Sequence, residues 1–256
     1  MSAVAAVIPA FNEVNTIRDV VERTLGQVPW VIVVDDGSID GTGATLDGLP
    51  VTVLRNSGNR GKAASLARAI AHALGEGAEA VITLDGDGQH PPEHIPRLLA
   101  AHGRHPDAIV IGSRLHDGRH IPMDRYFANR FANFWIAWAA GQPIADSQSG
   151  YRVYPAALLR EISLRHDRAA SFVYESEILI EAGRRGAKMV AVPVPAIYEA
   201  RGRRSHFRPV LDIARIVRMV AWKLLTRGLY LSGLVASLRG DAGQDRLEEG
   251  VGRETR

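Results

Sequence analysis

Apolar and polar positions alternate along the first half of the chain in a regular succession of short apolar runs and longer amphipathic segments. Short apolar runs that are rich in β-branched residues and end at Gly, Pro or Asp predict buried strands. Five such runs predict strands at 3–8, 30–34, 51–54, 81–84 and 108–111. Helical spacing of apolar residues predicts intervening helices at 13–25, 40–47, 61–74 and 91–102. Repeated strand–helix units predict an α/β fold, with a mostly parallel sheet and helices on both faces.

Two apolar helical segments lie in the second half of the chain. The sequence does not decide whether each packs against the protein core or contacts lipid. One contains the bulky residues Phe134, Trp135, Ile136 and Trp138, which suit core packing and also the border of a lipid groove. The other, at 210–225, is amphipathic. Its apolar stripe consists of Val210, Ile213, Ala214, Val217, Val220, Ala221 and Leu224, and its basic residues avoid that stripe. Packing against the domain and contact with an anionic membrane surface both fit this helix.

Composition and charge predict a soluble globular chain in three parts: an α/β domain at 1–208, a basic amphipathic extension at 209–239 and a disordered charged tail at 240–256. The absence of cysteine excludes disulfides, zinc–thiolate sites and thiol catalysis. No signal peptide and no apolar run of membrane-spanning length is evident. The net charge is only +3, but basic residues are concentrated between Arg201 and Arg227.

Polar loops follow the first four predicted strands, at 9–13, 35–38, 56–62 and 85–89. Ligands of open α/β sheets bind outside the carboxyl ends of the strands, which is where these loops lie. Helix capping by Asn12 and Ser38, together with acids at helix N-termini, explains any one loop. Four successive polar loops along one rim of the sheet are better explained by a binding site.

Asp85 and Asp87, separated by Gly86, follow the fourth predicted strand directly. Mg²⁺ and Mn²⁺ prefer oxygen ligands, and Mg²⁺ commonly takes one or two carboxylates together with substrate phosphates. The two aspartates are therefore candidates for holding a metal–diphosphate. Acidic loops of this kind also occur as ordinary turns, so the motif alone does not decide between the two interpretations.

Three sequence blocks together resemble the family 2 glycosyltransferases of the GT-A fold, a Rossmann-like α/β fold. They are VIPAFNE at 7–13, VVDDGSIDGT at 33–42 and LDGDGQHPPE at 84–93. Within that family the chain is most similar to dolichyl- and polyprenyl-phosphate mannosyl- and glucosyltransferases. The resemblance extends over roughly 3–208, and the blocks are specific in this order.

The resemblance implies a nucleotide-sugar site along the rim. Its residues would be Pro9, Phe11, Glu13, Val34, Asp36, Lys62, Asp85, Gly86, Asp87, Gln89, Arg114 and His206. A Mg²⁺ or Mn²⁺ cofactor would be held by Asp85, Asp87 and Gln89, and it would neutralise the leaving diphosphate. The residue types alone also allow ordinary structural roles. Phe11 could pack in the core, Lys62 could be a solvated residue at a helix start, and Arg114 could lie on the surface. His206 stands where relatives have the lysine of a Ser-Lys pair.

The resemblance also implies an acceptor site built by Arg125, Asn129 and Gln148. Arg125 and Asn129 are four residues apart and therefore share a helix face, although relatives have serine at the position of Asn129. The implied catalytic residues are Asp87, Asp146 and Arg114. Asp146 would be a general base for a sugar hydroxyl acceptor. For a phosphate acceptor, which needs no base, Asp146 would orient Arg125 or Gln148.

The resulting prediction is a metal-dependent inverting glycosyltransferase that moves a hexose from a GDP- or UDP-linked sugar to a polyprenyl phosphate. The alternative acceptor is a sugar hydroxyl of a glycolipid or cell-envelope polysaccharide. A nucleotidyltransferase is disfavoured because no glycine-rich triphosphate loop follows the first strand. A non-enzymatic nucleotide-sugar binder is expected to lack the metal carboxylates. We expect a cytoplasmic protein, peripheral on the inner face of the cytoplasmic membrane or held by a membrane-anchored partner, with no nucleic-acid partner.

Overall fold

The computed structural model describes residues 3–115, 123–162, 171–195 and 209–239. The strands are β1 (Val4–Ala10), β2 (Val31–Asp35), β3 (Thr52–Arg55), β4 (Ala80–Thr83), β5 (Ile109–Ser113), β6 (Arg152–Pro155) and β7 (Met189–Pro193). The α-helices are α1 (Ile17–Leu25), α2 (Lys62–Gly75), α3 (Ile95–Arg104), α4 (Met123–Ala140), α5 (Ala156–Glu161), α6 (Ser171–Arg184), α7 (Pro209–Leu225) and α8 (Leu231–Arg239). Short 3₁₀ turns occupy Ala44–Leu46, Pro92–His94 and Gly228–Tyr230.

The strands form one sheet in the order β3-β2-β1-β4-β6-β5-β7. β6 runs antiparallel to both β4 and β5, and the other neighbouring pairs are parallel. The predicted α/β class and mostly parallel sheet are therefore confirmed. The order places the carboxyl ends of β1, β2 and β4 side by side, so their following loops meet at one rim.

Alternate residues of β1 face opposite layers of the core, as the two-residue period of a strand requires. Ala6 and Ile8 lie in a buried cluster with residues of α1 and α3. Ala5 and Val7 lie in another cluster with residues of α2. Both faces of the sheet are thus covered by helices, which explains why its central strands are continuous apolar runs.

α7 packs on the domain through a face that overlaps the predicted stripe in part. Ile216, Met219, Val220 and Leu224 are buried in a third cluster with residues of α4 and α6, whereas Val217 is 50% exposed. Two residues of the predicted stripe, Val220 and Leu224, are therefore buried as expected, whereas Val217 is not, and Ile216 and Met219 beside the stripe are buried instead. In the described ranges, no helix is both long enough and apolar enough to span a membrane.

The first two loops also differ locally from the prediction. α1 begins at Ile17 rather than at residue 13, and Asn12 is not its cap but has a positive φ of 56°. The Asn12 backbone N–H donates to Ser38 Oγ (2.9 Å), and its Oδ1 accepts from the Ile39 N–H (3.0 Å). The helix predicted at 40–47 is only the 3₁₀ turn Ala44–Leu46. Asn12 therefore fastens the first loop to the second instead of starting a helix.

Candidate active site

Side-chain hydrogen bonds join the loops at the rim. The Glu13 backbone N–H donates to Thr42 Oγ1 (2.8 Å), which links the loop after β1 to the loop after β2. The Thr16 hydroxyl donates to the Gly86 carbonyl (2.8 Å), which links the start of α1 to the loop after β4. A Cβ at Gly86 would lie 3.3 Å from the Pro9 carbonyl, so the loop packs closely against β1. The predicted juxtaposition of the three loops is present.

Asp36 is buried and organises the loop that follows β3. Its Oδ1 accepts hydrogen bonds from Asn56 Nδ2 (2.6 Å) and the Arg60 N–H (2.9 Å), and its Oδ2 accepts from the Gly61 N–H (2.8 Å). Gly61 has a φ of 86° and precedes Lys62, the first residue of α2. Asp36 therefore fixes the backbone that leads into Lys62. The predicted contact of Asp36 with a nucleobase stays a prediction.

Lys62 lies between two carboxylates on separate elements. Its Nζ is 2.6 Å from Asp85 Oδ1 and 3.3 Å from Glu175 Oε2 on α6. Burial by itself raises the pKa of Asp85, but the Lys62 ammonium outweighs burial and lowers this pKa to about 2. Burial likewise lowers the pKa of Lys62, and the two carboxylates reverse that effect and raise it. Asp85 and Lys62 are therefore both charged at neutral pH.

Asp87 is half-buried and faces Gln89. The Gln89 backbone N–H donates to Asp87 Oδ1 (3.0 Å), and Gln89 Nε2 donates to Oδ2 (2.8 Å). Burial and the nearby charge of Asp85 raise the pKa of Asp87 to about 6. The amide nitrogen of Gln89, rather than its oxygen, faces the carboxylate, and the predicted ligand role of Gln89 stays a prediction.

The buried side chain of His90 is hydrogen-bonded to the loop that contains Asp85. Its ring is buried and stacks on Tyr151, with 5.2 Å between the ring centroids. Its Nδ1 accepts the Asp85 backbone N–H (3.0 Å), and burial lowers its pKa to about 4. His90 is therefore a neutral hydrogen-bond acceptor that fixes the backbone of Asp85.

The donor atoms at this rim suit a hard divalent cation. Within the described ranges, no group of three or more His, Cys, Asp or Glu side chains is arranged to hold a metal. Asp85 and Asp87 supply two carboxylates, and Mg²⁺ commonly takes one or two carboxylates plus substrate phosphates. Three carboxylates, those of Asp85, Asp87 and Glu175, lie around the amine of Lys62. This excess of negative charge also favours the binding of a cation. The residues therefore fit Mg²⁺ or Mn²⁺.

Asp146 is fully buried and holds Arg114. Its Oδ2 accepts from the Arg114 backbone N–H (3.1 Å) and Nε (3.3 Å), and its Oδ1 accepts from the Gln148 N–H (3.2 Å). The charge of Arg114 contributes to the lowered pKa of Asp85, so Arg114 lies on the same side of the rim as Asp85. The loop of Asp146 is tied to α4 because Asn133 Oδ1 accepts from the Ser147 N–H (2.8 Å).

Other predicted residues fall into three groups. His206 and residues 240–256 lie outside the described ranges, and of Arg125 only the backbone, in α4, is described. Val34 is fully buried against α2, so its side chain faces the core rather than the rim. Pro9, Phe11 and Asn129 are half-buried, at the end of β1, in the following loop and on α4.

Sequence analysis missed two buried residues, Arg152 and Glu175. Arg152 donates from Nη1 to Tyr154 Oη (3.1 Å) and the Glu175 carbonyl (2.9 Å), and from Nη2 to the Ser147 carbonyl (2.9 Å). A Cβ at Gly150 would lie 2.9 Å from Glu175 Oε1 and 3.1 Å from Lys62 Nζ. The sequence signal was the charge of these residues inside apolar segments, since buried charges require partners.

Residues 5–163 match the family model for glycosyl transferase family 2. The chain belongs to this family. It is 32% identical over 199 residues to the polyprenol monophosphomannose synthase of Mycolicibacterium smegmatis, which covers 73% of this chain and 75% of that protein. It is 28% identical over 233 residues to the undecaprenyl-phosphate mannosyltransferase of Micrococcus luteus, with 88% and 95% covered.

The fold is similar to that of glucosyl-3-phosphoglycerate synthase from Mycobacterium tuberculosis, solved with Mn²⁺, UDP-glucose and phosphoglyceric acid. The TM-score is 0.60 at 22% identity, and the match covers 88% of this chain and 79% of that chain. The predicted family, the GT-A fold and the prediction of a glycosyltransferase are thereby confirmed.

Proposed function

We propose that this family 2 glycosyltransferase is metal-dependent and inverting, and moves a hexose from a nucleotide diphosphate sugar to a polyprenyl phosphate. The observation that carries the proposal is the charge arrangement at the rim. Asp85 and Asp87 supply carboxylates for a cation, and Lys62 and Arg114 supply positive charge beside them. The names of the two relatives from Mycolicibacterium and Micrococcus support the lipid-phosphate acceptor.

Each residue of the rim has a distinct task in this proposal. Asp85 and Asp87 would hold Mg²⁺ or Mn²⁺, which supplies Lewis-acid stabilisation of the leaving diphosphate when it is bound. Lys62 and Arg114 would meet phosphate oxygens, and the planar fork of Arg114 suits two oxygens at once. Inversion follows from a single in-line displacement, which needs no nucleophilic carboxylate.

A phosphate acceptor is favoured over a sugar hydroxyl by the contacts of Asp146. Its Oδ2 accepts hydrogen bonds from Arg114 and its Oδ1 accepts one from Gln148, and the side chain is fully buried. A general base must be within hydrogen-bond reach of the proton that it removes. A phosphate acceptor is anionic at neutral pH and needs no such base. Asp146 then serves to orient Arg114, and a hydroxyl acceptor remains the second candidate.

An exposed apolar surface on α4 and α8 supports action at a membrane. We define the α4–α8 surface by side chains that are each at least 40% exposed: Met123, Phe127, Phe131, Phe134, Leu231, Val235 and Leu238. α4 is joined to the turn before α8, where Trp138 Nε1 donates to the Leu229 carbonyl (3.0 Å). Contiguous apolar patches of this kind mark sites that bind proteins or membranes.

The charges around the α4–α8 surface favour an anionic bilayer as its occupant. α8 contains no acidic residue, and Asp124 is the only one in α4. Arg130 and Arg227 are exposed on and beside these helices, and each basic residue near an anionic membrane contributes about 1 kcal/mol. α4 also carries Asn129 of the predicted acceptor site, so a docked bilayer would present its lipid phosphates to that helix.

Vesicle flotation tests the membrane contact. The protein is expected to float with vesicles containing phosphatidylglycerol, less with phosphatidylcholine alone, and not after the double change Phe131→Ser and Leu238→Ser. Val53→Ser removes an apolar side chain of 40% exposure from the far edge strand and is the matched control. Unchanged flotation of the double variant would exclude this surface. Concentration-dependent dimerisation that the double variant abolishes would instead assign the surface to a second copy of the chain.

An extraction assay tests the transfer reaction itself. Purified protein is incubated with a panel of radiolabelled nucleotide sugars, Mg²⁺ or Mn²⁺ and undecaprenyl phosphate, and the lipid is then extracted. Label is expected in the organic phase with wild-type protein and not with Asp87→Ala. Label that appears only on a glycolipid or polysaccharide acceptor would favour the hydroxyl alternative, and no transfer from any donor would contradict the proposal.

A further inference from the structure

Glu175 is a buried carboxylate of α6 that was not among the predicted site residues. Its side chain is only 9% exposed, and its Oε2 lies 3.3 Å from Lys62 Nζ. Its Oε1 is buried without a hydrogen-bond partner among the described residues. An unsatisfied buried carboxylate oxygen is costly. It therefore indicates a contact that forms in another state of the site.

The amine of Lys62, which already pairs with the other oxygen of this carboxylate, Oε2, at 3.3 Å, can provide this contact by moving further towards Glu175. Its Nζ bonds Asp85 at 2.6 Å and lies farther, 3.3 Å, from Glu175. A Cβ at Gly150 would meet Glu175 Oε1 at 2.9 Å, Lys62 Nζ at 3.1 Å and Asp85 Oδ2 at 3.5 Å. The three charged groups therefore converge on the space that the missing side chain of Gly150 leaves open. A small displacement of the amine changes which carboxylate it bonds.

A cation on Asp85 conflicts with the present position of Lys62. The ammonium occupies Asp85 Oδ1, and two positive charges repel each other at a shared carboxylate. If Glu175 were absent, an amine that left Asp85 would be an unpaired charge in a partly buried site, which costs free energy. Glu175 offers a second carboxylate within about one ångström of further movement, as the difference between 3.3 and 2.6 Å indicates.

We propose that Glu175 is a positioning residue that receives Lys62 when a divalent cation takes Asp85. The amine then stays charged and inside the site, where it can meet the phosphates of the donor. This inference rests on the metal dependence in the proposed function. Glu175 touches neither the cation nor the donor in this arrangement, and it acts through Lys62.

Binding of Mn²⁺ alone, measured by electron paramagnetic resonance, tests the inference without turnover. In Glu175→Gln, Lys62 has only Asp85 as a charged partner, so Mn²⁺ is expected to bind about 10-fold more weakly. Removal of a negative charge also weakens binding directly through space. The Lys62→Met background separates the two effects, because only the component carried by Lys62 disappears there. In that background Glu175→Gln is expected to cost no more than about threefold, as coupled neighbours require.

Glu175→Asp distinguishes position from charge. The shorter side chain keeps the charge but withdraws the carboxylate from Lys62, so weakening close to that of Glu175→Gln is expected. Glu181→Gln is the matched control, since Glu181 is on the same helix and pairs with Lys223, Arg184 and Arg185. It is expected to leave Mn²⁺ affinity unchanged. Thermal denaturation checks that every variant is folded.

Each outcome bears on a definite claim. If Glu175→Gln weakened Mn²⁺ binding equally in the wild-type and Lys62→Met backgrounds, Glu175 would act only through its charge and not through Lys62. That result would overturn the inference. Wild-type affinity in Glu175→Asp or Glu175→Gln would overturn it as well, and the metal dependence would stand. Absence of Mn²⁺ binding to the wild-type protein would overturn the metal dependence and the inference together.

Discussion

Asp146 receives both the backbone N–H and the Nε–H of Arg114 on one carboxylate oxygen, at 3.1 and 3.3 Å. Arg114 follows directly after β5, and Asp146 lies in the loop between α4 and β6. The antiparallel strand β6 brings this loop beside the end of β5. Asp146 is fully buried and Arg114 is mostly buried, so the pair is largely shielded from solvent. Its geometry fits the orientation of a phosphate-binding guanidinium.

We predict that Asp146→Asn lowers kcat/KM by about 10- to 100-fold, since hydrogen bonds to charged groups contribute about 1.5–3 kcal/mol each. The amide nitrogen would face the two donors of Arg114 and displace that side chain. Arg114→Gln should cost a similar factor, and the double variant should cost little more than either single one. Steady-state kinetics with the lipid acceptor provide the measurement.

Additive losses in that double-mutant cycle would contradict the pairing. A loss in Asp146→Asn that is confined to the chemical step, with the pH profile of kcat losing its acidic limb, would identify a general base instead. Ser149→Ala, a small change in the same loop, is the control for general disturbance of the loop.

Donor binding should depend on the metal only while Asp87 is present. Isothermal titration of wild-type protein with a nucleotide sugar is expected to show at least about 10-fold weaker binding after EDTA treatment, because the cation links the carboxylates to the diphosphate. Asp87→Asn should bind weakly with or without Mn²⁺. Donor affinity that is indifferent to EDTA and to Asp87→Asn would contradict the metal site.

The sequence predicted the first five strands and the rim because each of those strands is an apolar run followed by a polar loop. It did not predict β6, whose sequence Arg-Val-Tyr-Pro contains a charge and ends in proline. Arg152 is tolerated there because the Glu175 carbonyl, 23 residues away in the chain, accepts a hydrogen bond in addition to the nearby Tyr154 hydroxyl and Ser147 carbonyl. Local patterns carry no information about such partners.

The contact between Glu175 and Lys62 could not be predicted from the sequence for the same reason. Its neighbourhood in α6 contains several glutamates, among them Glu177 and Glu181, which instead pair with Lys223 of α7. Only the packing of α6 on α2 brings Glu175 to Lys62. The predicted stripe of α7 was right at Val220 and Leu224 but not at Val217, because tertiary contacts select which apolar residues of the helix are buried.

Gly150→Ala should damage both the donor site and the fold. The added methyl group would lie 2.9 Å from Glu175 Oε1 and 3.1 Å from Lys62 Nζ, so one of these side chains must move. We expect a loss of about 1–3 kcal/mol in the free energy of unfolding, typical of overpacking, and a weakening of donor binding of at least about 10-fold. Gly103→Ala, where a Cβ meets nothing within 4 Å, is the control. Wild-type donor affinity in Gly150→Ala would show that the three groups tolerate displacement.

The ion pair between Arg23 and Glu93 should stabilise the protein only above mildly acidic pH. Arg23 Nε lies 2.7 Å from Glu93 Oε1 and joins α1 to the turn that follows the Asp85–Asp87 loop. The hydrogen bonds from Arg23 lower the pKa of Glu93 from 4.5 to about 2. A carboxyl with a lowered folded-state pKa contributes stability above its unfolded pKa, and this contribution is lost as pH falls from about 4.5 towards 2.

Glu93→Gln is therefore expected to lower the free energy of unfolding at pH 7 by no more than about 1 kcal/mol, because the side chains of Arg23 and Glu93 are 38% and 53% exposed. This corresponds to a decrease of about 2–4 °C in Tm. The difference from wild type should shrink steadily between pH 4.5 and pH 3 in urea denaturation. Glu22→Gln, which breaks the exposed pair with Arg18 within α1, should show a smaller effect. A difference for Glu93→Gln that persists undiminished at pH 3 would mean that packing, rather than charge, accounts for the contribution of Glu93.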